Sequence, residues 1–316
     1  MSILLSIEGA IGQGILWGLM ALGVYITFRL LNFADLTVDG SFATGGAVCA
    51  IGIASGINPV FAVILGMLAG FAAGAITGLL HCYCKIPDIL AGILSQIGLY
   101  SINLRIMGQS NTPLLQFDTL FSYVSGMLNL PRTFTRYMST TNLTVLIIGV
   151  IFAAIVVGIL YWFFGTEIGS AIRATGNNVN MVRANGVSTK TTKLLALIIS
   201  NGLIGLSGAL VAQQQGYADV KMGIGAIVIA LASIVIGEVI FGKKGGFMSR
   251  LISIIIGSII YRIIVAVVLQ LGMSSDDLKL LTAILVAVAL TIPVLINARN
   301  QKMMYKKLTA ESDGEN

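Results

Sequence analysis

Residues Gly165 to Lys193 read GTEIGSAIRATGNNVNMVRANGVSTKTTK, a polar, net-basic interlude of 29 residues. On either side lie two long apolar runs, Leu143–Phe164 and Leu194–Ala212. A helix rises about 1.5 Å per residue, so roughly 20 apolar residues cross the hydrocarbon core of a bilayer. Both flanks are long enough, and the interlude between them is therefore expected as a water-facing loop (165–193) held at a fixed height against a membrane.

The rest of the chain fits that reading. It is 56% hydrophobic and 10% charged over 316 residues, with a mean hydropathy of +0.94. A soluble domain carries about 25% charged residues, so this chain would not stay wetted as a globule. Long apolar runs predict an all-α polytopic membrane protein and not a barrel, whose strands would show short alternating segments. Nine spans are expected, within a range of eight to ten: Ile11–Leu31, Val38–Ala54, Pro59–Leu80, Leu90–Met107, Leu143–Phe164, Leu194–Ala212, Gly223–Phe241, Leu251–Leu271 and Leu280–Ile296. Neither a basic region nor a cleavage site precedes the first run, which is expected to be retained as a span. The reading is one membrane domain over 1–298 and a cytoplasmic tail over 299–316.

Orientation comes from the connections. With the interlude in the cytoplasm, 13 of the 19 basic residues fall inside, five fall outside and Arg262 lies within a span. That bias predicts the N-terminus outside and the C-terminus inside. The net charge of +6 follows the membrane, so no nucleic-acid partner is implied.

Several stretches carry more than hydropathy. Between the first two spans, Asn32, Asp35, Asp39 and Gly40 interrupt apolar sequence without forming a loop. The segment reads either as an interfacial turn or as a broken helix lining a polar path, since irregular backbone at membrane depth must be covered by protein or water. Gly66, Gly70, Gly74 and Gly78 lie on one face of the third span, a groove for close packing inside the chain or for a dimer seam. His81-Cys-Tyr-Cys84 is too compressed for a metal site, and the chain has no second His, so no metal is expected. The external segment 108–141 holds Arg132 and Arg136, which are either solvated or a docking surface for an extracytoplasmic partner. Asn201 in the sixth span and Gln213 at its outer end, like Glu238 and Arg262, are polar groups facing a bundle interior or an aqueous path.

Within the interlude, Gly176-Asn-Asn-Val-Asn-Met-Val-Arg-Ala-Asn-Gly186 carries both ends of a short helix. Asn177 or Asn178 can cap its start and Gly186 can end it. Two turns are marginal alone, so the helix must dock, with Met181 and Val182 as apolar contacts beside Arg183 and Asn185. Lys190 follows Gly186-Val-Ser-Thr, but no glycine directly precedes it as a phosphate-binding loop requires.

Gly169, Ala171-Ile-Arg-Ala-Thr-Gly-Asn-Asn178, Ala184-Asn-Gly-Val187 and Gly202-Leu-Ile-Gly-Leu-Ser-Gly-Ala-Leu210 together resemble the permease subunits of bacterial ABC importers in the branched-chain amino acid and ribose superfamily. Asn32-Phe-Ala and Ile236-Gly-Glu-Val-Ile-Phe-Gly242 are similar to family stretches as well, and Leu31 to Gly40 is most similar to the subgroup associated with tryptophan and tyrosine uptake. The resemblance implies a homodimeric permease in the cell membrane, a cytosolic ATPase that holds the ATP and Mg, and an extracytoplasmic substrate-binding lipoprotein. No cofactor is implied in this chain, which is then not itself an enzyme. It implies that Asn177, Asn178, Met181, Val182, Arg183 and Asn185 form the coupling helix seated in the ATPase. Asn32, Asp35, Asp39, Asn201 and Gln213 are candidates for the translocation path, and an amino acid is the expected solute, aromatic favoured and branched-chain next. The alternative is an ion-coupled secondary transporter or channel that works without an ATPase, with Asp35, Asp39, Glu238 and Arg262 as its ionisable groups.

Overall fold

The computed structural model describes residues 2–127, 140–241 and 245–270, with helical residues also described at 280, 282–284, 286–288 and 291. Arg132 and Arg136, most of the ninth expected span and the tail lie outside the described residues.

Helices dominate. In chain order they are α1 (Ser2–Tyr25, continued by a π-helical turn at Ile26–Leu30), α2 (Val38–Ala54), α3 (Pro59–Cys82), α4 (Asp88–Met107), α5 (Leu120–Met127), α6 (Thr140–Gly165), α7 (Glu167–Asn177), α8 (Val179–Ala184), α9 (Thr189–Gln215), α10 (Ala226–Phe241) and α11 (Phe247–Gln270). Among the described residues, six helices are long and apolar enough to cross a membrane: α1 with its π turn, α3, α4, α6, α9 and α11. The two shorter apolar helices, α2 and α10, have 17 and 16 residues.

The helix ends are written locally. Asn58 accepts from the Val60 N–H at 3.0 Å and Pro59 follows as the first helical residue of α3, where its missing donor costs nothing. Gly216, at φ +78°, closes α9 in the left-handed region. Beyond it Tyr217–Asp219 pairs antiparallel with Asn111–Pro113, with Asn111 opposite Asp219. That two-stranded ribbon, β1–β2, ties the connections after α4 and α9 together at one end of the bundle. The external segment of the sequence reading contributes β1 and α5, and of its apolar residues Leu114 and Phe121 are buried while Leu115 stands out.

At the centre α9 packs along α3, α2 and α1, while α11 and α6 close over α1. The glycine groove of α3 is filled from within the chain. A Cβ on Gly70 would lie 2.3 Å from the Asn201 carbonyl oxygen, and one on Gly74 2.3 Å from that of Leu197. Backbone therefore rests on backbone, the packing small residues permit between membrane helices. Large apolar side chains face outward on α3, α4 and α6, among them Phe61, Leu68, Leu94, Ile159 and Trp162, as expected where lipid is the solvent.

Candidate functional site

The interruption between α1 and α2 is a broken helix and not a surface turn. The π turn ends at Leu30, and Leu31 and Phe33 return N–H bonds to Ile26 and Thr27. Asn32 sits at φ +52°, a left-handed conformation Asn tolerates better than most residues. The chain then rises beside α4: a Cβ on Gly92 would meet Leu36, and one on Gly40 would meet Gln96 and Leu99. Gln96 and Leu99 lie halfway along α4, so α2 begins deep inside the bundle.

A polar cluster satisfies that break. Asp35 Oδ1 accepts from the Thr37 N–H at 2.9 Å and Oδ2 from Asn201 Nδ2 at 2.8 Å. Asn201 Oδ1 accepts from Ser41 Oγ at 2.6 Å. Thr37, Thr77 and Ser95 link their hydroxyls at 2.8 Å steps, joining α3 and α4 to the same cluster. Asp35 and Asn201 are 3% and 0% exposed, so both spend their hydrogen bonds on holding the break together.

Asp39 does something else. Its carboxylate accepts from the N–H groups of Gly225 at 2.9 Å and Ile227 at 3.1 Å, capping the N-terminus of α10 from the first turn of α2. The segment 220–225 therefore dips from the ribbon into the bundle, and two short helices start from one junction beside the middle of α4. A cavity of about 340 Å³ opens there, with Asp39, Gln96, Tyr100 and Asn103 in its wall. Gln213 stands apart from this junction. Its Nε2 donates to the Pro59 carbonyl at 3.1 Å and to Cys49 Sγ at 3.2 Å, and its Oε1 accepts from the Leu120 N–H at 2.8 Å. It pins α9 to the connections at the ribbon end.

The interlude 165–193 folds as an elbow of two helices. Thr166 caps α7 by accepting from the Gly169 N–H. Asn178 caps α8, its Oδ1 accepting from Asn180 and Met181, both at 3.1 Å. Gly186 follows at φ +79°. Met181, Arg183 and Asn185 are exposed, and so are Asn177 and Asn178. Val182 turns inward, at 3% exposure, and so anchors α8 to its own protein. Arg183 Nε donates to Thr189 Oγ1 at 3.0 Å, bracing α8 against α9.

Charges that hydropathy left unassigned find partners. Arg29 on the π turn pairs with Glu238 on α10, at the edge of a cavity of about 600 Å³ that Arg173 and Asn177 of α7 also line. Arg262 stacks its guanidinium over the Trp17 ring, 4.1 Å from the centroid, a cation–π contact strengthened where water is excluded. His81 faces Lys193 Nζ at 3.2 Å and the Ile86 carbonyl at 2.9 Å.

The sequence reading missed α7 as a helix and passed over Asn103. The Thr166-Glu167 start of α7 was available as a capping signal. Asn103 looked like one more polar residue on a long apolar helix.

The matches to known proteins agree with this architecture. Residues 6–294 match the family described as the permease component of branched-chain amino acid transport systems. The tyrosine transport system permease protein of Clostridioides difficile (strain R20291) is 39% identical over 297 residues, covering 93% of this chain and 94% of that protein. The D-allose transport system permease protein of Escherichia coli (strain K12) is 27% identical, over 81% of this chain and 70% of that protein. The ribose import permease protein of the same strain is 24% identical, over 87% and 81%. No solved structure matches the chain at a significant level. With nearly its whole length matched, the chain belongs to the branched-chain amino acid permease family of ABC transporters, as a multi-pass plasma-membrane subunit whose ATPase is a separate polypeptide.

Proposed function

We propose that the chain is the translocation subunit of an ATP-driven importer of an amino acid, aromatic favoured and branched-chain next. It works as a single membrane domain over 1–298 that pairs with a second copy of itself. A separate extracytoplasmic binding protein hands the solute over, and Arg132 and Arg136 form part of its docking surface. In this reading nine spans place the N-terminus outside and the C-terminus inside, with the α7–α8 elbow in the cytoplasm and α8 seated in the ATPase subunit.

The observation that carries the proposal is the shape of the elbow. A six-residue helix, Val179–Ala184, is too short to stand alone, yet it is capped at its start, anchored by Val182, and presents Met181 at 55% exposure. Such a rod transmits displacement to α7 and α9 as packed units when the subunit gripping it closes. Asn32, Asp35, Asp39 and Asn201 then lie where the moving elements meet the path. Gln213 holds the outer end in register.

The test is uptake of labelled L-tyrosine, L-tryptophan and L-leucine into proteoliposomes holding permease and ATPase subunit, with binding protein outside and ATP inside. ATP-dependent accumulation is expected. Uptake driven by an ion gradient without the ATPase would favour the secondary-transporter alternative and end this reading.

A further inference from the structure

The cavity beside Asp39 is unlike the rest of the bundle's outer surface. It sits against the middle of α4, where lipid-facing positions on the same helix carry Ile89, Leu94 and Ile102. Its wall instead joins Asp39, Gln96, Tyr100 and Asn103 with Ile97 and Ile224.

Asn103 is the independent clue. It is wholly buried, and neither its amide oxygen nor its amide nitrogen has a hydrogen-bond partner among the described residues. Buried side-chain amides are nearly always satisfied, and an orphaned one calls for an explanation such as a missing ligand. Asn103 offers one acceptor and two donors to whatever enters. Gln96 offers the same set. Asp39 adds a carboxylate, and among the described residues no Lys or Arg lines the space, so a solute bearing only negative charge would be repelled. The remaining wall, with the Tyr100 ring, Ile97 and Ile224, is apolar.

From this geometry we infer that the cavity is a transient binding site for a zwitterionic amino acid. Asp39 takes the ammonium, the Asn103 and Gln96 amides take the carboxylate, and the apolar wall takes the side chain. At about 340 Å³ the space is at the small end of ligand sites, which run from about 300 to 1,000 Å³, and it suits a single amino acid. The site lies where α2 and α10 both begin, so any movement of those two helices against α4 changes its shape. This inference rests on the importer reading above and adds to it a solute contact on the permease itself.

Asn103→Leu separates a site from a structural amide. It removes two unsatisfied buried polar atoms at nearly constant volume, so the melting temperature should hold or rise. L-Tyrosine uptake should fall about tenfold or more, the loss expected for hydrogen bonds to a charged group. Uptake within twofold of wild type in the folded variant would overturn the site. Should the variant not fold, Ile224→Cys in a Cys84→Ser background gives a second readout. L-Tyrosine should slow its modification by a methanethiosulfonate several-fold, and equal rates with and without tyrosine would overturn the site. Wild-type complex that carries D-ribose but no amino acid would instead overturn the importer's solute class, and the site's with it.

Discussion

The Asn32 side-chain amide donates a 2.9 Å hydrogen bond to the carbonyl of Gly176, joining the broken helix directly to the last turn of α7. The approach is closer than a hydrogen bond alone requires. A Cβ on Gly176 would lie 1.8 Å from the Leu30 carbonyl oxygen, so glycine is what lets α7 press on the end of the π turn. Elbow and break are thus in direct contact, and the polar cluster at Asp35 lies three residues further on.

Gly176→Ala should therefore damage coupling more than folding. The added methyl has only backbone to push, at a cost of about 1–3 kcal/mol for overpacking, and α7 is the element free to yield. ATPase activity should continue while uptake drops several-fold. Asn32→Gly is the milder companion: it keeps the φ of +52° accessible and deletes only the amide, a loss of about 0.5–1.5 kcal/mol. Parallel measurement of ATP turnover and uptake checks both, and equal falls in the two activities would argue against a link between elbow and break.

Asp39→Ala should lower thermal stability by removing the cap of α10. N-cap losses run about 0.5–2 kcal/mol, and the Gly225 and Ile227 N–H groups both lose their acceptor. Asp39→Asn retains an acceptor and should recover much of the melting temperature. Because Asp39 also lines the inferred amino-acid site, Asp39→Asn should still lose uptake, which separates the cap from the charge.

Much of this arrangement was legible in the chain, and the limits have physical causes. The eight described apolar helices follow from run length, and Asn178 and Gly186 announce α8 because capping is a local matter. The groove at Gly66–Gly78 was readable as a face, though not which helix filled it. Asp35 with Asn201 and Arg29 with Glu238 were invisible as pairs, since 166 and 209 residues separate the partners. Glu238 is met by Arg29 from the π turn, while Arg262 turns to Trp17. In α7, Ile168 and Ile172 are too few for an apolar stripe, so the helix was hidden in a polar interlude.

Charge reversal tests the Arg29–Glu238 pair. The two side chains are 40% and 26% exposed, so screening keeps the stability effect of either single neutralisation below about 1 kcal/mol. Arg29→Glu places two carboxylates together and should slow transport. Arg29→Glu with Glu238→Arg should restore the rate if the pair matters as a contact. No recovery in the double variant would assign the effect of Arg29 to the neighbouring cavity instead, where Arg173 also stands.

Adjacent residues on α8 should respond in opposite ways, because one faces out and the other in. Met181 is 55% exposed and Val182 3%. Met181→Asp leaves the permease intact by this criterion, and its melting curve should match wild type. It places a charge where an apolar contact to the ATPase is expected, so assembly with that subunit should weaken and uptake should fall with it. Val182→Asp buries a carboxylate against the elbow's own packing, at a cost of several kcal/mol when unpaired. That variant should lose the elbow itself, seen as rapid proteolysis within 165–193 before any partner is added. Arg183→Glu falls between the two, since it gives up the bond to Thr189 Oγ1 and reverses an exposed charge. Normal assembly and coupling in both Met181→Asp and Arg183→Glu would remove α8 from the ATPase interface, whatever Val182→Asp does.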